Sequence, residues 1–222
     1  PTAAVPAWRQ PGAAPEAVID HAAAGANFQI AWRRNVGRGS SRHEHITAPP
    51  VAADGKVFTM DGEATVIATD AKSGARVWSA DLRSHARRDR VAFGGGLAFD
   101  NGKLFVTSGY RFIAALDAAS GKVVWKTAVD TPIHGAPSVT DGKVVAIDLE
   151  DEMTAYDEAT GAPQWNYQGL SEPARILAAS SPAVVDGTVV GAFASGEVVA
   201  VLAANGNDLW TQSLSRSNRN NA

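Results

Sequence analysis

Asp117-Ala-Ala-Ser-Gly121-Lys-Val-Val-Trp125 is one of four versions of a phrase that returns along this chain. The others run from Asp70 through Gly74 to Trp78, from Asp157 through Gly161 to Trp165, and from Leu202 through Gly206 to Trp210. Successive tryptophans are 47, 40 and 45 residues apart. Each phrase follows an apolar strand-like run and a two-residue Asp-Gly or Asn-Gly turn: Asp54-Gly55, Asn101-Gly102, Asp141-Gly142 and Asp186-Gly187. Asp-Gly and Asn-Gly accept the positive φ that a tight hairpin demands. A period near 40 to 45 residues made of short strands fits a four-stranded propeller blade, and helical spacing is absent. The fold class is therefore all-β, a propeller with one blade per period.

Composition sets the outer bounds. The 222 residues are 45% hydrophobic with a net charge of −3, which gives enough apolar material for a sizeable core. That balance lacks the basic surplus that nucleic-acid binding needs, so nucleic acid is not an expected partner. The chain has no Cys, which removes disulfides and thiolate metal sites. No signal peptide is visible, and any targeting segment is expected to have been removed before Pro1.

The chain divides into an Ala/Pro-rich lead-in over 1–26, expected to behave as a tether, and a closing strand with its loop over 27–47. Blades follow over 48–88, 89–135, 136–178 and 179–214, and then a polar tail over 215–222. Within 27–47 the alternation from Phe28 to Val36 reads as one strand, with Trp32 in the place the later tryptophans occupy. The three strands that should precede it are missing. A Trp on the outermost strand is expected to cover the gap to the neighbouring blade. The recurring glycines Gly74, Gly121, Gly161 and Gly206 supply a left-handed corner, and the corner Asp caps its own turn. Leu202 stands where the fourth corner should have its Asp, so that corner is expected to be the least rigid.

The combination Asp-Ala-x-Ser-Gly-x-x-x-Trp with Ala136-Pro-Ser-Val139 resembles the repeat of the pyrroloquinoline-quinone-type propellers. Within that superfamily, the stretches from Thr47 to Gly55, from Phe93 to Gly102 and from Trp32 to Gly37 resemble the BamB family of outer-membrane assembly lipoproteins, in its N-terminal half. The resemblance implies an eight-bladed ring, of which this chain carries four blades and a closing strand. A second chain or fragment would then complete the propeller; a closed four-bladed ring is the rival. It also implies a non-catalytic scaffold, anchored by lipid at the periplasmic face of the outer membrane. The implied partners are the POTRA domains of the BamA-like barrel subunit and unfolded outer-membrane proteins. The same repeat occurs in quinone-dependent dehydrogenases, where the resemblance implies a quinone in the central funnel and a Ca²⁺. An adjacent-cysteine pair often seen in those enzymes is missing here, and no cofactor is expected. A sensor or adhesion propeller is the third reading.

Several residues invite a chemical role. His43 and His45 are two apart and could share a metal if they lay on a strand, but their Gly, Ser and Arg surroundings favour a solvent-facing loop. His134 has no carboxylate near it in sequence and reads as a packing or hydrogen-bonding histidine. Arg83, His85, Arg87, Arg88 and Arg90 form a basic loop, and Asp148, Glu150, Asp151 and Glu152 an acidic hairpin; either could steer a partner. The connection from Ser171 to Ala179 is too long for a tight turn and sets Ile176 and Leu177 beside Arg175. That is the composition of an interface anchor, with capping of the blade core as the bland alternative. By resemblance, Arg175, Ile176 and Leu177 fall where the POTRA-docking loop lies.

Overall fold

The computed structural model describes residues 5–19, 22–23, 29–39, 45–83, 92–170 and 180–214. Four antiparallel four-stranded sheets follow one another along the chain. The first holds β1 (Val51–Ala53), β2 (Lys56–Met60), β3 (Thr65–Asp70) and β4 (Arg76–Asp81). The second holds β5 (Gly95–Asp100), β6 (Lys103–Ser108), β7 (Phe112–Asp117) and β8 (Val123–Ala128). The third holds β9 (Ser138–Thr140), β10 (Lys143–Ile147), β11 (Glu152–Asp157) and β12 (Pro163–Gln168). The fourth holds β13 (Ala183–Val185), β14 (Thr188–Ala192), β15 (Glu197–Leu202) and β16 (Asp208–Ser213). Strands pair in chain order within every sheet. The first strands stand side by side, β1 by β5, β5 by β9 and β9 by β13, so they line the axis of an arc of propeller blades.

Each blade is closed by the same local chemistry. In the first hairpin Asp54 and Gly55 have φ of 49° and 69°, and Asn101-Gly102, Asp141-Gly142 and Asp186-Gly187 repeat the pattern. At the corner before the last strand, Asp117 Oδ1 accepts from the Ser120 amide at 2.7 Å and from the Ser120 hydroxyl at 2.5 Å. Asp70 with Ser73 and Asp157 with Thr160 make the same bonds. These hydroxyl and amide donors favour the charged form, so all three carboxyls sit below their ordinary 3.8. The fourth corner lacks the carboxylate: Gly206 and Asn205 donate their amides to the Leu202 carbonyl, the Leu202 amide donates to the Asn207 carbonyl, and Asn205 Oδ1 accepts from the Asn207 amide at 3.1 Å.

In every blade the register of the last strand slips by one residue just before the Trp, so that Trp78 pairs with Ala68 but Arg76 with Thr69. Equivalent slips precede Trp125, Trp165 and Trp210. A bulge re-aims a side chain, and here it turns the indole towards the next blade. The cores lie between blades: Phe58, Leu97, Val106 and Phe112 fill the first interface, Phe105, Ile113 and Val144 the second, and Val145, Met153, Val189 and Val199 the third.

Two regions differ from the sequence reading. Residues 29–39 carry no strand, although alternation from Phe28 to Val36 predicts one; Phe28 itself lies outside the described residues. A strand exists only against a laddered neighbour, and Trp32 sits on a corner of the first blade instead of beside one of its strands. A cavity of about 650 Å³ separates residues 34–38 from Thr65, Ile67 and Thr69 of β3. The lead-in is not a loose tether over its described part either. Trp8 exchanges two backbone bonds with Ala52 of β1, at 2.7 and 2.8 Å, and Gln10 and Ala13 are buried.

Candidate partner-binding face

The blades present two ends. At one end lie the first hairpin turns and the Asp-Gly corners, which are short and internally satisfied. At the other lie the turns between second and third strands and the connections from one blade to the next, and this end carries the irregular, chemically varied residues. Its turns share one construction, with a residue at positive φ: Ala64 at 59°, Arg111 at 60°, Asp151 at 60° and Gly196 at 83°. The carbonyl of each accepts from the end of that blade's last strand, through the amides of Leu82, Val129, Gly169 and Leu214.

The acidic hairpin is folded in on itself more than its charge suggests. Asp148 Oδ1 accepts the Glu150 and Glu152 amides at 2.8 and 3.0 Å. Burial nonetheless pushes its carboxyl up, against the pull of those bonds. Asp151 is 3% exposed; its Oδ1 accepts the Ala194 amide of the fourth blade at 2.9 Å, and its Oδ2 is unpartnered. Glu152 accepts from the Asn166 amide group at 2.6 Å. Of the four carboxylates, Glu150 is the exposed one. The hairpin therefore joins the third blade to the fourth more than it offers a charged surface.

Arg175, Ile176 and Leu177 lie outside the described residues, as do His43, His85, Arg87, Arg88 and Arg90. Both ends of their connection are described. Leu170 is 62% exposed, and its amide donates to Glu197 Oε2 at 2.8 Å, while Glu197 itself is buried. On the return side the Ser180 hydroxyl donates to the Ala192 carbonyl, and Ser181 Oγ accepts from the Ala136 amide at 2.9 Å. Ser138 Oγ donates to the carbonyl of Pro182. The connection thus leaves and re-enters the fold beside the turn at Phe193–Gly196, next to the acidic hairpin. No residue pattern announces the Glu197 anchor, because its partner is 27 positions away.

An aromatic group sits nearby. His134 packs on Phe93 with ring centroids 4.6 Å apart, and His45 meets the same ring edge-on at 6.1 Å. Burial lowers the His134 pKa. Among the described residues no group of three His, Asp or Glu side chains is placed to hold a metal. Of the basic loop, Arg83 is described: it pairs with Glu63 at 3.3 Å, and Arg38 pairs with the same carboxylate at 2.9 Å.

The structural-repeat residues are brought together across blades, not within them. Trp32, Trp78, Trp125 and Trp165 donate their indole N–H to the carbonyls of Ala71, Ala118, Glu158 and Ala203, at 2.9, 3.1, 3.0 and 2.9 Å. Each of those acceptors follows the first residue of the next corner, and the corner glycine lies under the indole. A Cβ on Gly74, Gly121 or Gly206 would stand 2.6 to 2.7 Å from the ring above it. Trp210, with no following corner in the chain, is 49% exposed, against 9% for Trp78 and Trp125.

The sequence profile described as outer membrane protein assembly factor BamB matches residues 17–92 and 63–222. The chain belongs to the BamB family. A BamB from Vibrio cholerae is 35% identical over 181 residues, covering 82% of this chain and 46% of its own length. One from Yersinia pestis is 29% identical over 191 residues, covering 83% and 48%. The chain spans about half the length of the curated relatives it matches. Among solved structures, BamB from Moraxella catarrhalis superposes with a TM-score of 0.61 at 19% identity, over 75% of this chain and 48% of that one. A quinohemoprotein alcohol dehydrogenase from Pseudomonas putida gives a TM-score of 0.76 at 20% identity, over 95% and 40%. At such identities the likeness to both shows the fold, a propeller of which this chain supplies an arc.

Proposed function

We propose that this chain is part of a non-catalytic scaffold of outer-membrane β-barrel assembly, acting at the periplasmic face of the outer membrane and lipid-anchored in the intact protein. The observation that carries this reading is the BamB family match running from residue 17 to residue 222. The dehydrogenase likeness is one of fold and supplies no reason to assign a redox reaction.

The docking element in this reading is the connection between the third and fourth blades. Its two ends are tied down by Glu197 and Ser180, and tethered ends lower the entropy that a binding loop loses on docking. Arg175, Ile176 and Leu177 would meet the POTRA domains of a BamA-like barrel subunit, with exposed Leu170 extending the apolar contact. Unfolded outer-membrane proteins are the second class of partner, engaged by strand addition at blade edges. Trp210 and the exposed strand β16 are the face on which further blades, from the same or a second polypeptide, would complete the ring.

The test is titration of purified POTRA domains against the chain and its Ile176→Asp, Leu177→Asp double variant. The expected result is at least tenfold weaker binding with an unchanged β-type circular dichroism spectrum. Equal affinity would remove this connection from the interface.

A further inference from the structure

The lead-in does more than pack on one strand. From Trp8 to Pro15 it bonds to the axial edges of the first, second and fourth blades. Trp8 exchanges bonds with Ala52 of β1, the Arg9 carbonyl accepts from Phe99 of β5 at 2.7 Å, and the Pro15 carbonyl accepts from Val184 of β13 at 2.7 Å. These three residues occupy the same place in their blades. Each lies one position before the residue that closes the first hairpin, opposite Val57, Leu104 and Val189 in the register. In an antiparallel ladder with a two-residue turn, that position is a non-hydrogen-bonded pair, so its N–H points away from its own sheet and towards the axis. Backbone donors left there need a partner or water. The fourth equivalent is Val139, opposite Val144 in the third blade, and among the described residues no backbone carbonyl accepts from it.

The segment is also suited to the place. It bends through an internal turn in which Arg9 and Ala13 bond each other's neighbourhood, Arg9 amide to Ala13 carbonyl and Ala13 amide to Gln10 carbonyl. Its small residues let the backbone come close to the strand edges, and Ala13 and Gln10 are buried there. Arg9 reaches Asp100 at the end of β5 at 3.7 Å, which fixes which residue meets which strand. Val5, Val18 and Ile19 of the same segment stay exposed.

We propose that the axial edges of the first strands form a binding site for peptide main chain, and that residues 5–19, bent through their turn, are its ligand in cis. The site reads main-chain groups at Ala52, Phe99 and Val184 and one charge at Asp100. It therefore accepts an Ala- and Pro-rich peptide that can turn between its contacts and carries a single Arg, and side-chain pockets play little part. Occupation in cis covers sheet edges that would otherwise invite pairing. Because the ligand is tethered, its effective concentration keeps a free copy of the same peptide out. This inference does not rest on the POTRA-docking reading and can fail without it.

Two measurements on the 222-residue chain test it. Amide hydrogen exchange should show Ala52, Phe99 and Val184 at least tenfold slower than Val139, the built-in reference at the same strand position. Rates equal to that of Val139 would overturn the proposal without any variant being made. A fluorescent synthetic peptide of residues 5–19 is then titrated by anisotropy into the unaltered chain and into Trp8→Pro, which loses the N–H given to Ala52. At least tenfold tighter binding to Trp8→Pro is expected; binding to neither, or equally to both, would overturn it.

Discussion

The indole N–H of Trp125 donates to the carbonyl of Glu158, 33 residues later and in the next blade, at 3.0 Å. Beneath the same ring lies Gly161, and beside it the Thr127 hydroxyl donates to the Gly161 carbonyl at 2.7 Å. One side chain thus joins two sheets by a hydrogen bond and by stacking on a corner. Replacing Trp125 with Ala should cost about 3 to 5 kcal/mol in chemical denaturation. Trp125→Phe keeps the ring, loses the bond, and should cost about 1 kcal/mol more than its volume change alone. A loss well under 1 kcal/mol for the Ala variant would show that the blade junction does not depend on the indole.

The corner glycines are constrained twice, by φ and by the ring above them, whereas the hairpin glycines are constrained by φ alone. Gly161 has φ of 73° and Trp125 over it; Gly142 has φ of 71° and open space. Gly142→Ala should therefore cost about 1 to 2 kcal/mol, the ordinary penalty of a left-handed Ala. Gly161→Ala should cost about 1 to 3 kcal/mol beyond that, from overpacking against the indole. Equal losses would mean that the indole moves aside freely.

His134 titrates against the fold. Its ordinary pKa is 6.5, and burial lowers it in the native state. Between the two values the unfolded chain binds more protons than the native one, so stability rises with pH. The denaturation midpoint should be at its full value above pH 6.5 and fall as pH drops below it. His134→Gln should remove that component while leaving any loss at lower pH, where carboxylates protonate. An identical pH profile for the variant would show that His134 is not buried as a neutral base.

Asp117 behaves in the same sense at lower pH. Hydrogen bonds from Ser120 hold its carboxyl below 3.8. Its contribution is present above that value and disappears as pH falls through the depressed native pKa. Asp117→Ala should lower the midpoint at pH 7 and converge on the parent chain in acid. Leu202→Asp restores the missing corner acid beside Asn205 and should raise the midpoint at pH 7 but not in acid; no rise would show that Asn205 already completes that turn.

Much of the fold is legible in the residue order. The Asp-Gly pairs locate hairpins because φ is decided by the residue itself, and the Asp-x-x-Ser-Gly corners carry their own hydrogen bonds within five residues. The direction in which each Trp points was legible only as covering a gap; its acceptor carbonyl lies in the following blade. Alternation from Phe28 to Val36 suggested a strand that the described residues 29–36 do not form, because pattern reports a side chain's preference and not whether a neighbouring strand exists. The acidic hairpin looked like a charged surface, yet Asp151 is committed to the Ala194 amide.

The repeat, the turn types and the membership of each strand in its blade all depend on contacts between residues close in the chain, and the residue order carries them. The bonds of residues 8–15 to the first strands of three blades, the anchoring of Leu170 by Glu197 and the exposure of Trp210 emerge in three dimensions alone. Those bonds join residues 27 to 169 positions apart, each through at least one backbone group, and main-chain donors and acceptors are the same whatever side chain they carry. A sequence holds no mark of which of them will meet.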